Sequence, residues 1–256
     1  MAAKKIILLA GEGFSTNCVF HAVNDAVGIH TVIIESPVDK KTFLKRRIKK
    51  LGFINVSGQV LFQAMIVPLL NFGSKKRKAE LQQQFLLNSS PIPEHIIKRV
   101  PSVNNDETLK LLLQEKPDLV VVNGTRIISK KILDSVKCRF INMHAGITPK
   151  YRGSHGGYWA LANKDAANSG VTIHLVDAGI DTGGILYQAI IAANKKDNFT
   201  TYPILQLAAG LPLLIRSIND ALNDQLPTAE GTKETGLWHH PTIWGYLYTR
   251  IFKKIK

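Results

Sequence analysis

The sequence predicts an α/β fold with a doubly wound, mostly parallel sheet and a basic helical insertion after the second strand. Three observations support this fold class. The chain opens with an apolar strand, a glycine turn and a helix, which is how doubly wound domains begin. Residues 118–123 are apolar throughout, as expected for a strand buried on both faces of a parallel sheet. The 256 residues are enough to build one full hydrophobic core.

The first strand is expected at residues 5–9, followed by a turn at 10–13 and a helix at 18–26. Ser15, Thr16 and Asn17 are candidates to cap that helix. Helix N-termini favour phosphate, so Gly11, Gly13 and Ser15 are predicted substrate contacts. Glu12 lies inside this turn, and its carboxylate disfavours phosphate binding there. The alternative is a strand-to-helix turn that binds no ligand.

The start of the chain, MAAKKIILLAGEG, superficially resembles a secretion signal because charge precedes an apolar run. The run is too short, however, and a glycine turn stands where a cleavage site would be expected. Cys18 and Cys138 form no disulfide framework or metal spacing, and the eight histidines show no metal-ligand spacing, so no metal is expected. The predicted location is the cytoplasm, with a peripheral position on the inner face of the membrane as a further option.

The remaining elements follow from apolar periodicity and turn residues. Strands are predicted at 30–35, 95–100, 118–123, 171–176 and 185–192, the last two as an antiparallel edge; helices are predicted at 106–114, 154–162 and 200–222. We therefore divide the chain into a catalytic domain at 1–225, with the helical insertion at about 37–90, and a basic, aromatic tail at 226–256.

The net charge of +14 is concentrated in three segments. Residues 40–50 contain seven basic side chains, residues 75–78 contain four and residues 250–256 contain four, which accounts for the whole excess. An apolar run at 58–72 lies between the first two segments and is expected to be too short to span a bilayer, because a spanning helix needs about 20 residues. Core-packing helices are the simpler interpretation. The alternative is an amphipathic element on an anionic membrane surface, contacted through the three basic segments.

The stretch FINMHAGITPKYRG, residues 140–153, carries the candidate chemistry. A strand is expected to end at Ile141, and Asn142 and His144 follow at i, i+2 spacing, which places both on one side. Asp181 follows a second strand, about thirty residues later, on another glycine-rich loop. An amide can donate to an oxyanion, an imidazole can move protons, and a carboxylate can orient the imidazole. Together these groups are suited to acyl transfer.

This region resembles the formyltransferase family that uses 10-formyltetrahydrofolate, which includes glycinamide ribonucleotide transformylase, methionyl-tRNA formyltransferase and sugar N-formyltransferases. The resemblance rests on Asn142-x-His144, the turn from Thr148 to Gly153, and the loop that begins at Asp181. It implies a Rossmann-like formyltransferase fold, with Asn142, His144 and Asp181 as the catalytic residues. It is clear over residues 117–192 and thinner over the first 35.

The resemblance also implies a folate pocket and an acceptor site. Carried over from the family, the predicted contacts to 10-formyltetrahydrofolate as co-substrate are Gly124, Arg126, Ile127, Ile128, Asp177, Gly179 and Ile180. His155 and Tyr151 are predicted to contact the acceptor, together with the three residues of the first turn named above. His174 is expected to be a packed or edge residue of its strand.

The acceptor is expected to be a small-molecule primary amine, most of all an amino sugar linked to a nucleotide or a lipid. A methionyl-tRNA enzyme would need a further C-terminal domain. Glycinamide ribonucleotide transformylase is the first alternative, disfavoured by the altered first loop and the basic insertion. A non-catalytic folate- or nucleotide-binding module is the second. Nucleic-acid binding is disfavoured because the basic segments alternate with aliphatic runs. An oligomer is compatible with the sequence.

Overall fold

A seven-stranded sheet forms the centre of the protein, with strand order β3-β2-β1-β4-β5-β7-β8. The computed structural model describes residues 4–227, 229 and 231–256; residues 1–3 of the predicted catalytic domain and residues 228 and 230 of the predicted tail lie outside this part. The strands are β1 (Ile6–Gly11), β2 (Thr31–Glu35), β3 (Ile97–Val100), β4 (Leu119–Asn123), β5 (Arg139–His144), β6 (Arg152–Gly153), β7 (Gly170–Leu175), β8 (Ile185–Ile190) and β9 (Leu237–Trp238). The helices are α1 (Phe14–Val27), α2 (Lys40–Leu51), α3 (Phe53–Leu61), α4 (Val67–Gly73), α5 (Lys75–Gln84), α6 (Asp106–Glu115), α7 (Lys130–Ser135), α8 (Gly156–Ala162), α9 (Tyr202–Leu222) and α10 (Ile243–Phe252).

The sheet confirms the predicted fold class. Strands β1 to β5 pair in parallel, whereas β7 and β8 are antiparallel and form the edge, as expected. The strand order reverses between β1 and β4, and open α/β sheets bind ligands at such a point, beyond the carboxyl ends of the strands.

The core lies on both faces of the sheet. Ile6 and Leu8 of β1 point into a cluster with α1 and α9, while Ile7 and Leu9 point into a second cluster with α6 and α7. All four side chains are fully buried. Burial on both faces explains why the central strands read as continuous apolar runs.

Two predicted boundaries are wrong for identifiable reasons. Helix α1 begins at Phe14 with Gly13 as its N-cap, so the predicted capping residues lie within its first turn. The hydroxyl of Thr16 donates to the carbonyl of Gly11 at 2.6 Å instead of capping the helix. Strand β5 does not end at Ile141 but continues to His144, because β7 extends the hydrogen-bonded ladder along it.

The segment between β2 and β3 is helical, as predicted, and packs on the sheet domain. Phe62 and Leu81 are buried in a third cluster with Phe199 and Tyr246. The expectation that the apolar run is too short for a membrane span is wrong. Through a π-helical turn between α3 and α4, the helical stretch Phe53–Gly73 reaches 21 residues, long and apolar enough to span by length and composition alone.

The predicted tail packs against the domain through two elements. Strand β9 pairs in parallel with β6, next to the turn after β5. In α10, Tyr246 is buried, and the hydroxyl groups of Thr249 and Tyr158 are hydrogen-bonded at 2.6 Å. The tail therefore covers one side of the loop that carries the candidate chemistry.

Candidate active site

Asn142 and His144 lie at the carboxyl end of β5, at the ligand-binding edge of the sheet. The i, i+2 spacing within the strand directs both toward one side. Asp181 belongs to the loop between β7 and β8, which bends back over the same edge. Gly183 allows this close approach, since a Cβ there would collide with the carbonyl of Leu175. The structure thus brings the three predicted catalytic residues together.

His144 and Asp181 are in direct contact. The Nδ1 atom of His144 lies 3.3 Å from Oδ2 of Asp181, and Nε2 lies 2.8 Å from the carbonyl oxygen of Tyr151. A carbonyl oxygen can only accept, so Nε2 carries a proton and Nδ1 faces the carboxylate. The N–H of Gly153 also donates to Asp181 Oδ2 at 2.9 Å, which fixes the orientation of the carboxylate.

The environment keeps His144 neutral and Asp181 ionised in the free protein. Burial lowers the pKa of His144, although the nearby Asp181 carboxylate opposes that effect. Burial acts to raise the pKa of Asp181, but His174, His144 and the N–H of Gly153 outweigh it and hold this pKa below its usual value. A neutral imidazole beside a carboxylate is ready to receive a proton at Nδ1 when positive charge develops nearby.

His174 is buried in β7, in agreement with the predicted packed position, but the sequence did not indicate that it lies between Asn142 and Asp181. Its Nε2 accepts a hydrogen bond from Nδ2 of Asn142 at 3.0 Å and lies 3.7 Å from Oδ1 of Asp181. Its Nδ1 donates to the carbonyl of Leu175 at 2.7 Å, which sets the tautomer. One N–H of the Asn142 amide is therefore held by His174, and the other has no protein partner among the described residues, so it can donate to a ligand. Only the cross-strand register, which pairs Asn142 with His174, reveals this contact.

These side chains open into a cavity of about 480 Å³. All seven predicted folate contacts line it: Gly124, Arg126, Ile127, Ile128, Asp177, Gly179 and Ile180. Apolar side chains, among them Val122, Val171 and Leu207, contribute much of the remaining wall. A mostly apolar cleft with a few convergent polar groups is typical of small-molecule and cofactor sites.

Arg126 shapes the cavity wall through its hydrogen bonds. Its guanidinium group lies 2.8 Å from the carboxylate of buried Glu35 and also donates to the carbonyl of Ser36 at 2.7 Å. The backbone N–H of Arg126 donates to the same carboxylate at 2.6 Å. The side chain is thereby held in place, and the half-exposed Ile127 beside it presents an apolar surface to the cavity.

The predicted acceptor contacts divide into two groups. Ser15 lines the cavity and accepts a hydrogen bond from Asn123 at 3.2 Å. Within the described residues, Gly11, Gly13, Tyr151 and His155 do not line it. The buried Tyr151 side chain turns away and donates to Asp165 at 2.8 Å, so only its backbone carbonyl takes part, through His144.

His155 contacts the tail instead of the cavity, and the tail in turn contacts the insertion. Its Nε2 is hydrogen-bonded to Nδ1 of His240 at 2.8 Å, and its ring packs on Phe199. The same nitrogen of His240 lies 2.9 Å from the amide of Gln63 in the insertion. Burial lowers the pKa of His155 to about 3 and that of His240 to about 4. Both rings are therefore neutral at pH 7.

Acidification should destabilise the protein through this pair. A histidine whose folded-state pKa is depressed binds fewer protons than the unfolded chain, so stability falls as pH drops below about 6.5. With the value of about 3 for His155, lowering the pH from 7 to 5 should cost about 2 kcal/mol for this ring. Denaturant unfolding at both pH values measures the difference.

The variant His155→Asn tests the assignment, because asparagine tolerates the left-handed backbone found at this position. In this variant, the loss of unfolding free energy between pH 7 and pH 5 should be smaller than in the wild type by about 2 kcal/mol. The matched control, His95→Asn, changes an exposed histidine and should keep the wild-type pH dependence. If His155→Asn lost as much unfolding free energy between pH 7 and pH 5 as the wild type, the assignment of this pH dependence to His155 would be contradicted.

Comparisons with known proteins bear on this geometry. A family model described as formyl transferase matches residues 67–204, more than half of the chain. A methionyl-tRNA formyltransferase from Thermodesulfovibrio yellowstonii is 37% identical over 118 residues, covering 46% of this chain and 38% of that protein. One from Finegoldia magna is 44% identical over 86 residues, covering 33% and 27%. The matches thus span well under half the length of these relatives.

Solved structures with the same fold cover most of the chain. A sugar N-formyltransferase from a Shewanella species has a TM-score of 0.56 at 16% identity, covering 91% of this chain and 76% of that one. A phosphoribosylglycinamide formyltransferase from Anaplasma phagocytophilum has a TM-score of 0.57 at 18% identity, covering 91% and 97%. The family model includes the whole constellation of Asn142, His144 and Asp181. The chain therefore belongs to the formyl transferase family.

Proposed function

We propose that the protein transfers a formyl group from 10-formyltetrahydrofolate to a primary amine. The observation that carries this proposal is the convergence of Asn142, His144 and Asp181 on one side of a largely apolar cavity, with His144 and Asp181 3.3 Å apart. Formyl transferases use 10-formyltetrahydrofolate as the donor. The loop from Gly124 to Ile128 offers backbone groups and an apolar surface for its pterin ring.

The reaction joins the amine nitrogen to the formyl carbon and then breaks the bond between that carbon and N10 of the folate. The first step creates an oxyanion and a positively charged nitrogen. The free N–H of the Asn142 amide donates to the oxyanion, and removal of such a donor typically costs on the order of 10²-fold or more in rate.

His144 and Asp181 manage the proton in this mechanism. The attacking nitrogen must lose one proton, and N10 must gain one when it leaves. Neutral Nδ1 of His144, supported by the Asp181 carboxylate, accepts the proton and returns it to N10, directly or through a water molecule. The resulting imidazolium lies between two acceptors, the Tyr151 carbonyl and Asp181, which stabilise its charge.

The acceptor is proposed to be an amino sugar linked to a nucleotide or a lipid. In support, Glu12 lies in the turn before α1, where its carboxylate disfavours a substrate phosphate at that helix N-terminus. Glu12 is exposed, and its carboxylate lies 3.5 Å from the guanidinium group of Arg99. Sugar N-formyltransferases are also among the proteins that share the fold over most of this chain.

A panel assay tests both levels of the proposal. The protein is incubated with 10-formyltetrahydrofolate and, separately, amino sugar nucleotides, glycinamide ribonucleotide, methionyl-tRNA or buffer alone. Mass spectrometry of the formylated product, with release of tetrahydrofolate in equal amount, should identify an amino sugar. Transfer only to one of the other amines would overturn the acceptor assignment. Folate turnover in buffer alone, or no turnover with any acceptor, would overturn amine formylation itself.

A further inference from the structure

The structure points to a function outside the catalytic cavity: we propose that α3, α4 and α10 form an apolar face that inserts into the surface of an anionic lipid bilayer. We call this surface the docking face. Its side chains are large, apolar and exposed: Phe53, Ile54, Leu61, Met65, Leu69 and Phe72 from the insertion, and Trp244, Leu247, Tyr248, Ile251 and Phe252 from α10. The proposal is independent of the reaction proposed above.

The insertion carries apolar side chains on two opposite sides. Leu61, Met65, Leu69 and Phe72 recur every three or four residues and form one exposed stripe; Leu69 and Phe72 are 69% and 73% exposed. On the other side, Phe62 is buried in the cluster with Phe199 and Tyr246, and Val56 is buried as well. A helix that packs on a soluble domain needs only one apolar side, so the second stripe lacks an explanation within the fold.

Helix α10 continues the same surface. The ring of Trp244 packs directly on Gly58 of α3, where any Cβ would collide with it. From that contact, exposed side chains follow along α10 at helical spacing and end at Phe252, which is 71% exposed. Its buried residues, Tyr246 and Thr249, face the domain. Two adjacent helices thus expose apolar stripes of the same kind.

Charge identifies the occupant as an anionic lipid surface. The three basic segments of residues 40–50, 75–78 and 250–256 adjoin or overlap the helices of the docking face along the chain, and Glu80 is the only acidic residue from Lys40 to Gln84. Within the second segment, Lys75 and Lys76 are exposed, whereas Arg77 pairs with buried Asp197. One cation lies directly beside an aromatic side chain of this face: Nζ of Lys75 is 5.2 Å from the ring centre of Phe72. An apolar stripe flanked by Lys and Arg is the pattern of helices that lie in the membrane interface.

The contacts of the insertion favour a helix lying along the bilayer over one that crosses it. Phe62 packs on Phe199 and Tyr246 with ring centres 4.9 and 5.0 Å away. Gln59 accepts a hydrogen bond from Arg47, and Gln63 is hydrogen-bonded to His240. A spanning helix would have to break these contacts and carry both amides into hydrocarbon without partners, which is costly.

Flotation with lipid vesicles tests the proposal. The full-length protein should float with vesicles of phosphatidylcholine and phosphatidylglycerol, and much less with phosphatidylcholine alone. The double variant Leu69→Gln/Phe72→Gln should lower the partition coefficient by about tenfold or more, because it removes apolar area that insertion into the bilayer would bury. The double variant Lys75→Gln/Lys76→Gln should lower it by about fivefold per cation removed.

The control is Leu113→Gln, which changes an exposed leucine on α6, a helix that packs on the opposite face of the sheet. It should bind vesicles as the wild type does. The melting temperature of each variant is measured as well, and only variants that melt as the wild type does are compared. This separates an effect on the surface from misfolding. Equal binding to neutral and anionic vesicles would overturn the proposal, as would wild-type binding by Leu69→Gln/Phe72→Gln.

A second copy of the chain is the competing occupant, and sedimentation without lipid distinguishes it. The proposal expects a monomer whose mass does not depend on Leu69 and Phe72. A dimer that the double variant dissociates would overturn it. The depth of insertion gives an independent readout. Brominated lipids should quench the tryptophan fluorescence of the wild type, and this quenching should disappear in Trp244→Phe. Persistence of quenching in this variant would contradict the placement of α10 in the interface.

Discussion

Replacement of Asp181 by asparagine is expected to lower kcat for formyl transfer by on the order of a thousandfold. Asparagine keeps the size of the side chain, and its amide oxygen can still accept from the N–H of Gly153. It removes the negative charge 3.3 Å from Nδ1 of His144. The imidazole then loses the group that stabilises its protonated form, so proton transfer from the amine becomes unfavourable. Steady-state kinetics with varied 10-formyltetrahydrofolate measures the change.

The matched control is Asp220→Asn. Asp220 also accepts a short hydrogen bond, from the hydroxyl of Tyr187 at 2.6 Å, but it lies on α9 away from the cavity. This variant should keep kcat within a few-fold of the wild type. A role of Asp181 in proton transfer predicts a fall in kcat with a nearly constant KM. If Asp181→Asn retained most of its activity, the proposed mechanism would be wrong.

Replacement of Asp197 by alanine is expected to lower the free energy of unfolding by about 3–5 kcal/mol. The side chain of Asp197 is fully buried, and it accepts two hydrogen bonds from Arg77, at 2.8 and 3.2 Å. Arg77 lies on α5 and is only 15% exposed, so alanine leaves its charge without a partner in a desolvated site. Urea unfolding measures the loss.

Glu80→Ala provides a control on the same arginine. Glu80 lies 3.6 Å from Arg77 but is 39% exposed, and such surface pairs contribute about 0–1 kcal/mol.

The pKa of Asp197 gives a further test: burial acts to raise it, but Arg77 and the other donors outweigh burial and lower it. Its stabilisation should therefore be present at neutral pH and be lost as pH falls below about 4. If Asp197→Ala and Glu80→Ala lowered the free energy of unfolding equally, a specific role of the buried pair would be contradicted.

The candidate active site and the buried pair of Arg77 with Asp197 differ in how far the sequence could predict them. Asn142 and His144 are separated by one residue, so local strand geometry alone places them together. Asp181 was predicted because its loop has a recognisable glycine pattern. For His174 the sequence indicates only a packed or edge position, because its contact with Asn142 depends on the pairing of β5 with β7. The pairing of Arg77 with Asp197 joins residues 120 positions apart, which no local pattern encodes.

The sequence by itself determined the α/β class, the helical nature of the insertion and the three side chains of the candidate chemistry. These features depend on short-range periodicity, turn residues and a familiar spacing. Only the tertiary structure decided that β5 extends to His144, that Tyr151 contacts His144 through its backbone carbonyl, and that the insertion leaves an apolar stripe exposed. Each of these depends on which distant segments pack together. Burial and strand register are properties of the whole chain, and a local pattern does not contain them.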